Sequence, residues 1–287
     1  MRLGLVLGAG GTAGEAFHRG VLRAMQDLGL DPRGADVVVG TSAGSLVAAS
    51  LRRHGPARPA IFEHRSRARL PERGALLDLL RAPRRRLNAA LLWPEFTNGR
   101  RDTAFISEGL RRAHGVGWSS SALWVVAVRR RDGHRVVFGR PDSPVTDVGS
   151  AVAASCAIPG YFAPVRIDGV EYVDGGVYSP TNADLLADCD LDLAVVSSPM
   201  SVDPRSVRLR PELPVRLWFQ RTLREEVWTL RRSVTRVVTI EPDHATIQAI
   251  GLDMMSGHRV DEIEDHAYAH ARSRLAEVLH DATPLAA

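Results

Sequence analysis

Apolar residues in this chain fall into short unbroken runs, separated by glycine-rich turns and by longer stretches of helical periodicity. The run 3–7 reads as a buried strand, because no polar residue interrupts it and glycines close it. Residues 15–28 then place apolar side chains at helical spacing. The triplet Val37-Val38-Val39 predicts a second strand, and 45–49 a small-residue helix. Runs 123–128 and 135–138, with Asp132-Gly133 between them, predict a hairpin. A small-residue helix follows over 147–156. A second hairpin, 165–168 with 170–173, turns at Asp168-Gly169. Strands 191–196 and 236–240 and helices 214–232 and 261–280 complete the pattern. Buried strands alternating with helices predict an α/β fold. The least patterned stretch is 52–122. It carries five prolines, at 56, 59, 71, 83 and 94, and two short amphipathic segments, 76–80 and 87–93.

One stretch organises the rest. Val37-Val38-Val39-Gly40-Thr41-Ser42-Ala43-Gly44 reads as strand, sharp turn and helix, with a serine on the turn. A nucleophilic hydroxyl has to stand clear of the sheet on a tight backbone. Gly40 and Gly44 remove the Cβ atoms that would collide there, which makes them the elbow glycines. The helix begins beneath the serine, so its N–H groups and dipole favour negative charge there. An ordinary glycine-rich βα turn is the plainer reading of the same string.

The first strand leads into Gly8-Ala9-Gly10-Gly11-Thr12-Ala13-Gly14. This matches the dinucleotide fingerprint, which also requires an acid at the end of the second strand to hold a ribose. Here that strand ends in Gly40-Thr41-Ser42, and Asp31 and Asp36 precede it. The expectation is therefore that no cofactor binds. The other use of such a loop is an oxyanion hole, since consecutive glycines let N–H groups converge on a developing alkoxide. Loops after neighbouring parallel strands meet at the carboxyl edge of a sheet, which would set the glycine loop against Ser42.

Composition narrows the class. With 287 residues, 45% of them hydrophobic, the chain suits one large α/β domain or two small ones. Cys156 and Cys189 are too few for a disulfide framework, which predicts a reducing compartment. No N-terminal signal is visible and no apolar run is long enough to span a bilayer, so the expectation is a cytoplasmic protein, soluble or peripheral. The net charge is +4, and every basic residue is arginine. Thirteen arginines lie from Arg52 to Arg101 against four acids, Glu63, Glu72, Asp78 and Glu95. Such a stretch meets nucleic acid or anionic lipid, or is simply a solvated face. With Trp93 and Phe96 it reads as a cap or lid that touches a membrane surface transiently and in a salt-dependent way. No nucleic-acid partner is expected. His18, on the helix after the glycine loop, reads as a surface or helix-packing histidine, with a catalytic role paired to Ser42 as the alternative. His266 and His270, four apart on the last helix, lack a third ligand, so no metal is expected.

Four motifs stand in order: Gly8-Ala9-Gly10-Gly11, Gly40-Thr41-Ser42-Ala43-Gly44, Ala154-Ser155-Cys156-Ala157-Ile158-Pro159 and Asp174-Gly175-Gly176. Together they resemble the patatin-like phospholipases over residues 3–186, with weaker matter near 240–242 and 251–254. The resemblance implies a doubly wound, three-layer α/β/α fold filling 1–287 as one domain, with the 52–122 insert as cap. It implies hydrolysis of lipid acyl esters without metal or cofactor. Ser42 is then the nucleophile, Asp174 its base, and the N–H groups of Gly10 and Gly11 the oxyanion hole. An aspartate of ordinary pKa is a weak base at neutral pH, and an apolar pocket would raise it. The chain departs from the pattern at Ala13, where many relatives carry Arg or Lys, with Arg19 or the insert as substitutes. This favours neutral or short-chain esters at least as much as diacyl phospholipids. Asn182 and Asp184 are expected to fix the loop after the second hairpin. A catalytically silent lipid- or protein-binding relative is the alternative. The oligomeric state is left open.

Overall fold

A computed structural model describes residues 1–53, 99–206 and 211–280. Strands β1 (Leu3–Leu7), β2 (Val37–Thr41), β3 (Ala122–Arg129), β7 (Leu193–Ser197) and β8 (Arg236–Ile240) run parallel. Three others, β4 (His134–Phe138), β5 (Val165–Ile167) and β6 (Val170–Asp174), join antiparallel at one side. The order is β5-β6-β3-β2-β1-β7-β8, with β4 also on β3. The three central strands β1, β2 and β7 are buried along their whole length. This is why their sequences run apolar without alternation.

Side chains still alternate between the two faces. Leu3, Leu5, Leu7, Val38, Leu193 and Val195 enter one core, while Val6, Val37, Val39, Ala194 and Val196 enter the other. The first core lies under α1 (Gly11–Asp27), α2 (Ala43–Leu51), α3 (Ala104–His114), α4 (Val148–Ser155), α6 (His244–Ile250) and α7 (Val260–His280). The second is closed by α5 (Leu213–Leu230) and the 3-10 turns Ala183–Asp188. The fold is therefore the three-layer, mostly parallel α/β arrangement expected, with unequal outer layers.

Three details differ from the sequence pattern. Helix α1 starts at Gly11 rather than near residue 15, because Gly11 enters it at φ +58, where only glycine is at ease. Helix α6 is capped by Asp243, whose side chain accepts from Thr246 N–H; the cap is legible in sequence, but the helix is too short for periodicity to show. Helix α3 lies within the poorly patterned stretch and packs on α4. The segments 76–80 and 87–93, with Trp93 and Phe96, lie outside the described residues.

The sheet brings two distant loops together along one edge of β3. Along one edge β4 pairs with Val125 to Arg129. The opposite edge is shared. β2 occupies it as far as Thr41 opposite Val126, and β6 approaches from the other end with Asp174 opposite Ala127. The last residues of β2 and β6 thus sit on successive rungs of one strand.

Two glycines make the turn after β2 possible. A Cβ on Gly40 would lie 2.6 Å from Ser45 Cα, and one on Gly44 would lie 2.0 Å from the carbonyl oxygen of Leu7. Gly44→Ala must therefore push α2 off β1. Chemical denaturation should show a loss of about 3 kcal/mol or more, at the upper end of overpacking costs; a loss under about 1 kcal/mol would show that the turn can relax.

Candidate active site

Ser42 closes β2 and precedes α2 in a conformation (φ 53, ψ −124) that L-residues seldom adopt. Three contacts hold it there. Its N–H donates to Ser155 Oγ at 2.9 Å, and Ser155 Oγ–H donates in turn to Val126 O at 2.6 Å. Its carbonyl accepts from Ser45 Oγ at 2.6 Å. The strain is thus carried by α4 and β3, and the hydroxyl is left free of these bonds. Ser155 stood in one of the sequence motifs without a role. Its part as a tie between elbow and sheet is visible only once α4 docks.

Asp174 ends β6, with its N–H on Ala157 O at 2.9 Å. Its Oδ1 accepts from Gly176 N–H at 2.7 Å, an Asx turn that aims the carboxyl. Its Oδ2 is buried without a hydrogen-bond partner of normal geometry. Ser42 and Asp174 are each only 4% exposed. Burial pushes the Asp174 carboxyl up to about 7, against the opposing pull of the Ser42 hydroxyl and the Gly176 N–H. The Ser42 hydroxyl and the Asp174 carboxyl are thus neighbours.

The glycine loop touches the elbow directly, since Gly44 N–H donates to Gly8 O at 3.2 Å. The N–H groups of Gly8, Ala9, Ala13 and Gly14 bond to Ser197 O, Pro180 O, Met254 O and Gly10 O. Those of Gly10 and Gly11, and that of Ala43 after the elbow, find no acceptor among the described residues. Donors are therefore available at the start of both helices. Met254 and Met255 roof the loop: a Cβ on Gly11 would lie 2.8 Å from Met254 O and 2.7 Å from Met255 Sδ.

The remaining candidates are structural neighbours. His18 is fully buried, between Ser197 Oγ at 2.7 Å and Gly8 O at 2.8 Å. Burial lowers its pKa to about 4 against the Gly8 bond, so the ring is neutral. Its Nε2–H then donates to the Gly8 carbonyl and its Nδ1 accepts from Ser197. This braces the glycine loop from below. Ala13 is buried with its N–H on Met254 O, and Arg19 pairs with Glu264 of α7 at 2.7 Å. Arg19 is therefore engaged in the packing of α1 on α7. His270 lies 3.2 Å from Asp203, and His266 lies 3.8 Å from Glu262. Asp184 pairs with both guanidinium nitrogens of Arg135, and Asn182 donates to Thr41 Oγ1.

One acid escaped the sequence reading. Glu15, on the first turns of α1, has a buried Oε1 with no partner. Burial raises its pKa to about 8, against the pull of Arg19. Both Asp174 and Glu15 help to raise the buried Cys156 thiol, after burial itself. A lone glutamate in a helical stretch carries no signal of this.

The sequence model of the patatin-like phospholipases matches residues 5–187. This is more than half of the chain, which belongs to that family. Among solved structures the chain is similar to the type III effector protein ExoU, with 17% identity and a TM-score of 0.43, covering 96% of this chain and 53% of that one. It is also similar to VipD from Legionella pneumophila, with 12% identity and a TM-score of 0.46, covering 96% and 66%. The chain thus spans about half of the first and just under two thirds of the second. No helix among the described residues is long and apolar enough to cross a membrane.

Ser155→Ala tests the tie between α4 and the elbow. It leaves the Ser42 N–H and Val126 C=O buried without a partner. A stability loss of about 2 kcal/mol is expected by urea denaturation, the usual cost of orphaned buried groups; no change would mean that the elbow holds its geometry without α4.

Proposed function

We propose that this chain is a serine acyl hydrolase that cleaves carboxylic esters of lipids through Ser42 and Asp174. The observation that carries the reading is the buried Asp174 carboxyl, aimed by Gly176, with an unpartnered Oδ2 beside a serine held at φ 53. Asp174 Oδ2 takes the Ser42 hydroxyl proton as Oγ bonds to the ester carbonyl carbon. The resulting oxyanion is held by the N–H groups of Gly10 and Gly11. Collapse breaks the bond to the leaving alcohol, which takes the proton back from Asp174. Water, activated by the same carboxylate, then releases the acid and restores Ser42. No metal or cofactor takes part in these steps.

Burial makes an aspartate adequate for this task, since a base works best with a pKa close to the operating pH. The substrate preference follows from the missing cation. Ala13 presents no charge, and Arg19 is held by Glu264, so neutral and short-chain esters are turned over at least as well as diacyl phospholipids. The protein acts in the cytoplasm, touching lipid surfaces transiently. The alternative, a silent lipid- or protein-binding relative, would leave Ser42 unreactive to a fluorophosphonate probe.

Ser42→Ala should abolish hydrolysis of p-nitrophenyl esters without unfolding the protein. Asp174→Asn should lower kcat about as far, because an amide takes no proton. Near wild-type turnover in either variant removes that residue from the mechanism.

The pH dependence carries a second expectation. Hydrolysis should rise with pH through about 7, as Asp174 loses its proton. Its folded pKa lies above the ordinary 3.8, so the native state binds more protons than the unfolded chain between those values. Stability from this group is therefore full at low pH and falls as pH rises through the window. Asp174→Asn should melt above wild type at pH 8, with the gap closing toward pH 4. A gap independent of pH would show that the carboxyl is not desolvated.

A further inference from the structure

The glycine loop is gripped from two sides, and both grips lead to α5. On one side Gly8 N–H donates to Ser197 O at 3.0 Å, and Pro199 packs where Gly10 has no side chain. Arg216 of α5 holds that segment by donating to Pro199 O and Ser201 O, each at 2.9 Å. On the other side Ala9 N–H donates to Pro180 O at 2.7 Å. The strap carrying Pro180 is held by Glu226 of α5, which is 7% exposed. Its Oε2 accepts Thr181 Oγ1–H at 2.5 Å and Ala183 N–H at 3.0 Å. Between these two bonds Asn182 is left-handed, at φ 53. Its Nδ2 donates to Ser179 O at 2.6 Å and to Thr41 Oγ1 at 3.1 Å. One carboxyl on the far face of the sheet therefore fixes both the loop that offers Gly10 and Gly11 and the residue before Ser42.

We infer that Glu226 is a positioning residue for the proposed hydrolysis: through Thr181 and Ala183 it sets the oxyanion loop and the elbow in register without touching the substrate. The inference rests on the hydrolase reading. The charged groups facing Glu226 are Asp184 on the same strap and Arg135 of β4, paired to each other at 2.7 and 2.8 Å. Burial lifts the Glu226 carboxyl to about 7, the Ser179 and Thr181 hydroxyls oppose this, and Asp184 adds to it. The acid is therefore largely neutral below that pH.

The test compares Glu226→Leu, Glu226→Gln, Thr181→Val and the pair Thr181→Val with Glu226→Leu. The readouts are kcat and KM on p-nitrophenyl butyrate, the rate at which a fluorophosphonate labels Ser42, and the melting temperature. Glu226→Leu should lower kcat and labelling about tenfold or more while KM stays within about twofold, since small displacements at a reacting centre cost that much. Glu226→Gln should recover most of the loss, because its amide oxygen accepts the same two bonds. Adding Thr181→Val to Glu226→Leu should lower the rates no further. Wild type should lose melting temperature between pH 6 and 9 more steeply than Glu226→Gln, whose amide does not ionise.

A folded Glu226→Leu that labels at the wild-type rate overturns the inference alone. Should that variant not fold, Thr181→Val decides: labelling equal to wild type overturns the inference, and slower labelling supports it. Wild-type protein that neither hydrolyses esters nor labels at Ser42 overturns the hydrolase reading, and the inference with it.

Discussion

The candidate site depends on the way β2 and β6 share one edge of β3. β4 takes the other edge, so β6 can pair with β3 only beyond the point where β2 stops. That constraint puts Thr41 and Asp174 on adjacent rungs, with Ser42 and Gly175 continuing from them. Val126 marks the junction. Its carbonyl accepts from Ser155 and lies 2.3 Å from where a Gly175 Cβ would sit. A longer β2 would leave no ladder for β6 to join. The antiparallel β5–β6 hairpin therefore matters less as sheet than as the arm that delivers a carboxylate to a parallel-sheet turn.

The protein buries several groups that would rather be in water. Asp174, Glu15, Glu226 and Glu241 are all pushed upward chiefly by burial. Each costs stability on ionising, and the protein offsets that cost differently at each position. Glu226 and Glu241 have hydrogen-bond donors around them, while Asp174 and Glu15 each retain a buried oxygen without one. Satisfied acids hold loops in place. In the proposed hydrolysis the desolvated Asp174 would serve as a base awaiting a proton, gaining basicity at the expense of stability.

The second outer layer is thin but serves the site at a distance. α5 closes the smaller core with Leu223, Val227 and Leu230, and it turns Arg216, Gln220 and Glu226 inward to the loops after β6 and β7. On the opposite face α7 packs along α1, where a Cβ on Gly20 would lie 2.3 Å from Glu264 O. The contact engages Arg19 with Glu264. At the start of α1, Ala13 is buried, with its N–H on Met254 O.

Much of this architecture was legible from residue order. The central strands are apolar almost throughout because both their faces are buried, so buried strands in an α/β sheet could be read from the unbroken apolar runs. The elbow was legible because a turn that tight admits only glycine at 40 and 44. The glycine loop and Asp174-Gly175-Gly176 were legible as motifs, since close backbone approach and an Asx turn restrict residue type locally. The sequence could not show that Glu15 loses its water, that Ser155 anchors Ser42, that His18 is locked neutral, or that Glu226 reaches the strap after β6. These properties arise from burial and from partners far away in the chain. A pKa or a hydrogen bond of that kind belongs to an environment, and only the docking of α4, α5 and β6 on the sheet creates it.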